Sequence, residues 1–380
     1  MYSLDLPCQI QTLSESLTAL SMSAKRRSIW VVVLAGGDGQ RLRSLTTNAR
    51  GTSTPMQYCS LNGGRSLLQA ALQRALGVAS RDHVVTVVAE AHRRWWEHEF
   101  LAQSRTSVVV EPCNRGTGLG LLLPLLVIAK SDPEAGVVFF PSDHYVEHEE
   151  VLAEYLREAI APAVMDSDKL TLLGMSPNAP DSGFGYLSPA PDSGVGMRPV
   201  LEFVEKPHQA LAAQLIRTGS VWNSGIVAGR IAQFVELYPH RTRQMLCELR
   251  AIVERWPDSR IPSAELASLY ARQPAFDFSS DVLQRWPRRL QVLIVPPCGW
   301  NDLRTTEHLA DALQRLRSVN ADDFRLTAPR SFNLATAFDG AVLKPGLSPG
   351  SIIESSYFPL GQGSFVPVVR FPRLSPYKET

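Results

Sequence analysis

Near the start of the chain, three glycines and an arginine stand close together in the run Leu34-Ala35-Gly36-Gly37-Asp38-Gly39-Gln40-Arg41-Leu42. Glycine at 36, 37 and 39 removes each Cβ that would hold an anion away from the backbone N–H groups. Arg41 adds a planar, permanently charged fork that matches phosphate oxygens. The apolar residues 30–33 ahead of the loop read as a buried parallel strand ending in a tight turn. Together these features suggest a nucleotide-phosphate cradle. The plain alternative is a strand-to-loop turn with a solvated arginine. Two familiar phosphate loops do not fit. The P-loop needs Gly-Lys-Ser/Thr, and the dinucleotide fingerprint needs an acidic residue about 20 positions on. Here the next strand-like run, 83–89, ends at Glu90.

The elements that must position this chemistry alternate between strand and helix. Strands are expected over 83–89, 107–110, 136–140, 169–175, 199–206 and 290–295. Helices are expected over 66–76, 119–129, 151–160 and 307–316, with 231–256 helical and broken near Pro239. This spacing implies βαβ units and a parallel sheet, whose ligands sit at the carboxyl ends of the strands. The glycine loop, the turn at Arg115 and Asp143 all fall at such ends, which favours one shared site. Beyond about residue 320 the periodicity becomes poor and Pro, Ser and Gly become frequent. The expected layout is an N-terminal extension (1–28), a main domain (29–320) and an irregular C-terminal segment (321–380), in which no hexapeptide repeat is visible.

Composition narrows the function classes. The hydrophobic fraction is 44%, ample for a large core, and a net charge of +1 gives no general drive toward nucleic acid or anionic membrane. No apolar run approaches the ~18 residues needed to cross a bilayer. The positive charges in residues 1–27 fall at the end (Lys25, Arg26, Arg27), the reverse of a secretory signal. The five cysteines form an odd, scattered set with no Cys-x-x-Cys pair, which argues against a zinc site and a disulfide framework. A cytoplasmic setting is therefore expected.

The opening loop resembles the Leu-Ala-Gly-Gly-x-Gly-x-Arg-Leu start of the sugar-phosphate nucleotidyltransferases. Pro55-Met56-Gln57-Tyr58 resembles their Pro-Lys-Gln-Phe segment. The resemblance is closest to the mannose-1-phosphate guanylyltransferases and runs in order from about residue 29 to about 316. It implies an α/β fold of the nucleotide-diphospho-sugar transferase type: a mostly parallel, Rossmann-like sheet with helices on both faces. The implied reaction joins a nucleoside triphosphate to a sugar 1-phosphate, with GTP and mannose 1-phosphate as the preferred pair, and releases pyrophosphate. Nucleic acid and membrane are not implied partners; homo-oligomer formation stays open.

The resemblance also implies roles. Asp143 in Pro-Ser-Asp-His and Asp302 in Gly-Trp-Asn-Asp would hold Mg²⁺, a hard cation suited to carboxylates. Taken alone, Asp143 could be a helix N-cap and Asp302 a turn residue. Leu34, Ala35, Gly36, Gly37, Gly39 and Arg41 would take the triphosphate, and Arg115, Gly116 and Thr117 would face base and ribose. Glu205 and Lys206 match the Glu-Lys-Pro motif for the sugar phosphate, and Gly185 and Asn223 complete that pocket. The expected catalytic set is Arg41, Asp143, Lys206 and Asp302.

Three positions depart from the pattern. Gly116 stands where many members have Asn. Met56 stands where the family has a lysine on the reacting phosphates, and loss of such a contact typically costs ~3–4 kcal/mol. Arg304 replaces a glycine, so it either crowds the second metal position or supplies the missing charge; Arg43 and Arg50 are other candidates for that charge. Besides an active transferase, the sequence allows a catalytically weakened homologue that binds sugar nucleotide, or a glycosyltransferase. The glycine-arginine loop argues against the last.

Overall fold

The computed structural model describes residues 27–48, 51–97, 106–164, 167–191 and 196–319, together with the backbone of short strands at 332–333, 354–360 and 364–370. Runs of Val, Leu, Ile and Phe build a nine-stranded sheet. Its strands are β1 (Ile29–Ala35), β2 (Val84–Ala89), β3 (Ser107–Glu111), β4 (Gly136–Pro141), β5 (Leu170–Met175), β6 (Gly185–Pro189), β7 (Arg198–Glu205), β8 (Val221–Arg230) and β9 (Leu290–Val295). The spatial order is β3-β2-β1-β4-β8-β5-β9-β7-β6.

Helices cover both faces, as expected, because successive side chains on a strand point to opposite sides. Val32, Val87 and Phe139 enter one core layer with Leu119, Leu122 and Leu125 of α2 (Thr117–Ala129). Val31, Val33, Val88 and Phe140 enter the other. They meet Leu68 and Leu72 of α1 (Leu67–Leu76) and Leu152 and Leu156 of α3 (Glu149–Val164). Burying one such side chain contributes ~1.5–3 kcal/mol, so the two layers dominate the stability. Ser66 caps α1 by accepting from Gln69 N–H, and the Gln69 side chain accepts from Ser66 N–H in return.

The expectation of a mostly parallel sheet needs correction. Strands β3, β2, β1 and β4 are parallel, as are β5 and β9. Strand β8 runs antiparallel between β4 and β5, and β6 and β7 pair antiparallel with each other. Strand β6 also pairs with β8, and β7 with β9, so β8, β5, β9, β7 and β6 close into a ring. Hydrophobic alternation reveals a strand but carries no direction, which is why the antiparallel half was not visible in the sequence.

The C-terminal segment also departs from expectation. Glu354–Leu360 and Ser364–Arg370 form an antiparallel ladder, and Phe332–Asn333 pairs parallel with Cys59–Ser60. Each strand of that ladder carries a proline, Pro359 or Pro367, which interrupts the strand pattern. The extension 1–26 lies outside the described residues. Among the described residues no helix is long and apolar enough to cross a membrane.

Candidate active site

The glycine loop is held from below by hydrogen bonds. Gln57 donates through Nε2 to the carbonyls of Ala35 and Gly37, both at 2.9 Å. Ser142 donates through its backbone N–H and its hydroxyl to the Leu34 carbonyl. The carbonyls of Leu34, Ala35 and Gly37 are thus used to tie the loop to its neighbours. Gly39 takes a left-handed φ of 59°, and a Cβ there would lie 3.1 Å from the Met56 nitrogen. Gly36 is needed for a different reason: its Cβ would stand 2.7 Å from a Glu111 carboxylate oxygen. That carboxyl accepts from the Tyr270 hydroxyl at 3.2 Å, and burial raises its pKa to about 8.

In front of the loop lies a cavity of about 520 Å³. Gly39 and Arg41 line it from one side, Asp143 and His144 from the end of β4, and Gly185, Glu205, Lys206 and Asn223 from β6, β7 and β8. Asp302 and Arg304 line it from the segment that follows β9. Residues as distant in sequence as Asp38 and Arg304 therefore face one space.

Asp143 stands among acids and bases. Its pKa is raised to about 6, first by removal from water and then by the negative charge of Asp302, while Arg304 and Arg41 pull the other way. Burial also opposes ionisation of Asp302, but the adjacent His308 and Arg304 outweigh it and hold its carboxyl below the ordinary range. His308 Nδ1 lies 3.3 Å from Asp302 Oδ1 and Nε2 lies 3.6 Å from Asp181. The first contact is poorly aligned, so Asp302 Oδ1 and His308 Nδ1 are both buried without a hydrogen-bond partner. Burial pushes His144 down to about 3, so its ring is neutral and Nδ1 accepts from Trp300 Nε1–H at 3.1 Å.

On the opposite wall, Lys206 Nζ sits 2.9 Å from Glu205 Oε1. Gly185 is paired with Glu205 across the β6–β7 ladder. A side chain at 185 would run into the Glu205 carboxylate and come within 2.7 Å of the Phe203 ring. Two non-glycine residues among those described adopt positive φ, Lys206 and Leu303, both at 48°. Both line the cavity. Such backbone costs on the order of 1–3 kcal/mol and persists where surrounding structure over-determines it. At Leu303 it buries the leucine while its neighbours Asp302 and Arg304 face the cavity.

Several expected residues lie elsewhere. Leu34, Ala35, Gly36 and Gly37 support the loop and do not line the cavity. Arg115 donates through Nε to the Tyr270 carbonyl at 2.8 Å, away from the cavity. Gly116, with φ of 85°, lets the chain pass against the Phe276 backbone, and Thr117 bonds Asp277 and the Phe278 N–H. Of the two spare arginines, Arg43 does not line the cavity and Arg50 lies outside the described residues. Sequence reasoning missed Gln57, Asp181, Phe184 and His308. Gln57 lies in the Pro-Met-Gln-Tyr segment, which gave no role for its amide, and Asp181, Phe184 and His308 have no motif assigned, so only the assembled fold brings them together.

The sequence profile of the family described as Nucleotidyl transferase matches residues 30–318. The chain belongs to that family. A relative, the xanthan biosynthesis protein XanB of Xanthomonas campestris pv. campestris, is 27% identical over 299 residues. That match covers 76% of this chain and 60% of XanB, so the chain spans about three-fifths of that relative's length. A mannose-1-phosphate guanylyltransferase of Salmonella montevideo is 29% identical over 215 residues, covering 54% of this chain and 44% of that protein. Among solved structures, a Thermus thermophilus protein described as a mannose-1-phosphate geranyltransferase is 26% identical. It superimposes with a TM-score of 0.59 over 73% of this chain and 76% of that one. A UDP-glucose pyrophosphorylase complexed with UDP-glucose shares the fold at 13% identity and a TM-score of 0.51, over 77% of this chain and 99% of that chain.

Proposed function

We propose that the chain transfers a nucleotidyl group from a nucleoside triphosphate to a sugar 1-phosphate. An oxygen of the sugar phosphate attacks the α-phosphorus, a new P–O bond forms, and the bond from the α-phosphorus to the bridging oxygen breaks. Pyrophosphate leaves with the electron pair. GTP and mannose 1-phosphate are the preferred substrates, a choice supported by the names of the relatives. The observation that carries the reading is the single cavity shared by Arg41, Asp143, Lys206 and Asp302. Several negative charges must meet there, so positioning and charge stabilisation matter more than a covalent nucleophile.

Each group has a role in this reading. Arg41 engages the outer phosphates beside the glycine loop. Glu205 accepts from sugar hydroxyls, and Lys206, fixed against it, meets the sugar phosphate. Asp143 and Asp302 are assigned to Mg²⁺. Among the described residues no three His, Cys, Asp or Glu side chains gather to hold a metal by themselves. The donor set nevertheless fits this ion: two hard carboxylates, one with a buried oxygen that accepts no aligned hydrogen bond, suit a cation that keeps water and phosphate among its ligands. When bound, the ion would neutralise phosphate charge. We further assign the domain to residues 29–320 and the setting to the cytoplasm.

Met56 supports a second reading, a sugar-nucleotide binder with weakened catalysis. The side chain is 4% exposed, packs with Leu42 and Leu303, and offers the cavity no charge. Mixing the protein with GTP, Mg²⁺ and mannose 1-phosphate, alongside other triphosphates and sugar phosphates, separates the two. Pyrophosphate release supports transfer, and binding without release supports the second reading.

A further inference from the structure

Resting on the transferase reading, we propose that Arg304 is a phosphate-engaging residue of this cavity, supplying from the segment after β9 the positive charge that Met56 does not. Its guanidinium is held in a built seat. Nη2 is paired with Asp302, and the fork lies 4.0 Å over the Phe184 ring. Gly183 makes the room: a Cβ there would stand 2.6 Å from Nη1 and 3.1 Å from Cδ. Nη1 itself is buried with no hydrogen-bond partner. A buried guanidinium donor without an acceptor is costly, which favours an acceptor bound beside the fork.

The charge inventory points the same way. The acids lining the cavity are Asp38, Asp143, Glu205 and Asp302, and the bases are Arg41, Lys206 and Arg304. Lys206 is already paired with Glu205. A triphosphate and a sugar phosphate together bring more negative charge than Arg41 and Lys206 alone can meet. Arg304 interacts with Asp143, Asp302 and Glu205, so it sits between the two assigned substrate positions. The pairing with Asp302 orients the fork, and the Arg304 side chain keeps 17% of its surface exposed where it lines the cavity.

The test is a cycle of four proteins: wild type, Arg304→Gly, Met56→Lys and the double variant. Pyrophosphate release from GTP and mannose 1-phosphate is expected to fall roughly 10²–10³-fold in kcat/KM for Arg304→Gly. Because Met56 lines the same cavity, an ammonium at 56 is expected to restore the double variant to within about tenfold of Met56→Lys alone. A second readout, independent of turnover, is calorimetric binding of inorganic pyrophosphate in EDTA, which Arg304→Gly should weaken about tenfold or more. If Arg304→Gly does not fold, Arg304→Lys and Arg304→Gln take its place in both assays. Unchanged or tighter pyrophosphate binding after loss of Arg304, or faster turnover, overturns the proposal and makes the residue a plug on Asp302. If wild type releases no pyrophosphate from any substrate pair, the transferase reading fails, while the pyrophosphate titration still decides Arg304.

Discussion

Gly185→Ala is a small change with a sharply defined structural consequence. The added methyl overlaps the Glu205 carboxylate and lies 2.7 Å from Phe203 Cε2 and 3.2 Å from its Cζ. Phe203 is 3% exposed and packed in the core, so the strain falls on both neighbours and the Glu205 carboxylate must shift. Its backbone cannot follow freely, because Glu205 N–H donates to Gln284 Oε1 at 2.7 Å and the next residue is held at positive φ. Overpacking of this kind costs about 1–3 kcal/mol of stability. If Glu205 receives a sugar hydroxyl, the displaced charged hydrogen bond is worth about 1.5–3 kcal/mol. That converts to roughly a 10- to 150-fold rise in KM for the sugar phosphate. KM for the triphosphate should stay within about twofold, since Arg41 and the glycine loop lie on another wall. Steady-state pyrophosphate release with each substrate varied in turn measures both constants, and a thermal melt reports the stability loss. A lowered melting temperature with an unchanged sugar-phosphate KM would refute the assignment of Glu205.

Three further outcomes are expected. Asp143 must be ionised to hold a cation and its pKa is raised to about 6, so Mg²⁺ affinity should weaken toward tenfold per pH unit below about 6, read by metal titration at pH 5, 6 and 7. Glu111 has its pKa raised from 4.5 to about 8, so the unfolded chain binds fewer protons than the native one between those values, and native stability falls with rising pH there. Relative to Glu111→Gln, wild type should lose up to about 1.4 kcal/mol per pH unit across that window, and denaturant melts that run parallel from pH 5 to 8 would contradict the burial argument. The Arg74 side chain is 2% exposed and donates from Nε and Nη2 to Glu149, which is 45% exposed. Glu149→Ala strands a buried guanidinium and should cost about 1–3 kcal/mol, more than Arg74→Met, which leaves only a solvated carboxylate; chemical denaturation compares the two.

What could be read in the sequence was what is contiguous along it. The glycine loop and Arg41 sit within one turn of chain, and the Glu205-Lys206-Pro207 and Asn223-Ser224-Gly225 runs are equally local. Seven of the nine strands were visible as hydrophobic runs because burial writes itself into composition. Strand direction was not visible, and the ring formed by β8, β5, β9, β7 and β6 depends on pairings that no single segment encodes. Orientation was the other hidden quantity. Arg115 reads as a loop cation, yet it is turned toward the carbonyl of Tyr270, 155 positions away. Gln57 reads as an ordinary polar residue, yet its amide ties the glycine loop in place. Leu303 reads as plain core, yet its left-handed backbone aims its two neighbours into the cavity.

The walls of the cavity are drawn from a stretch running from Asp38 to Arg304, and the last contributors follow β9. During synthesis a ribosome-borne chain that has completed β1 and β4 already carries its glycine loop, but the opposite wall waits for β6, β7 and β8, and the last wall waits for the segment after β9. On the transferase reading, nucleotide capture would then report on the finished domain, and a partly translated chain would have little means of sequestering triphosphate.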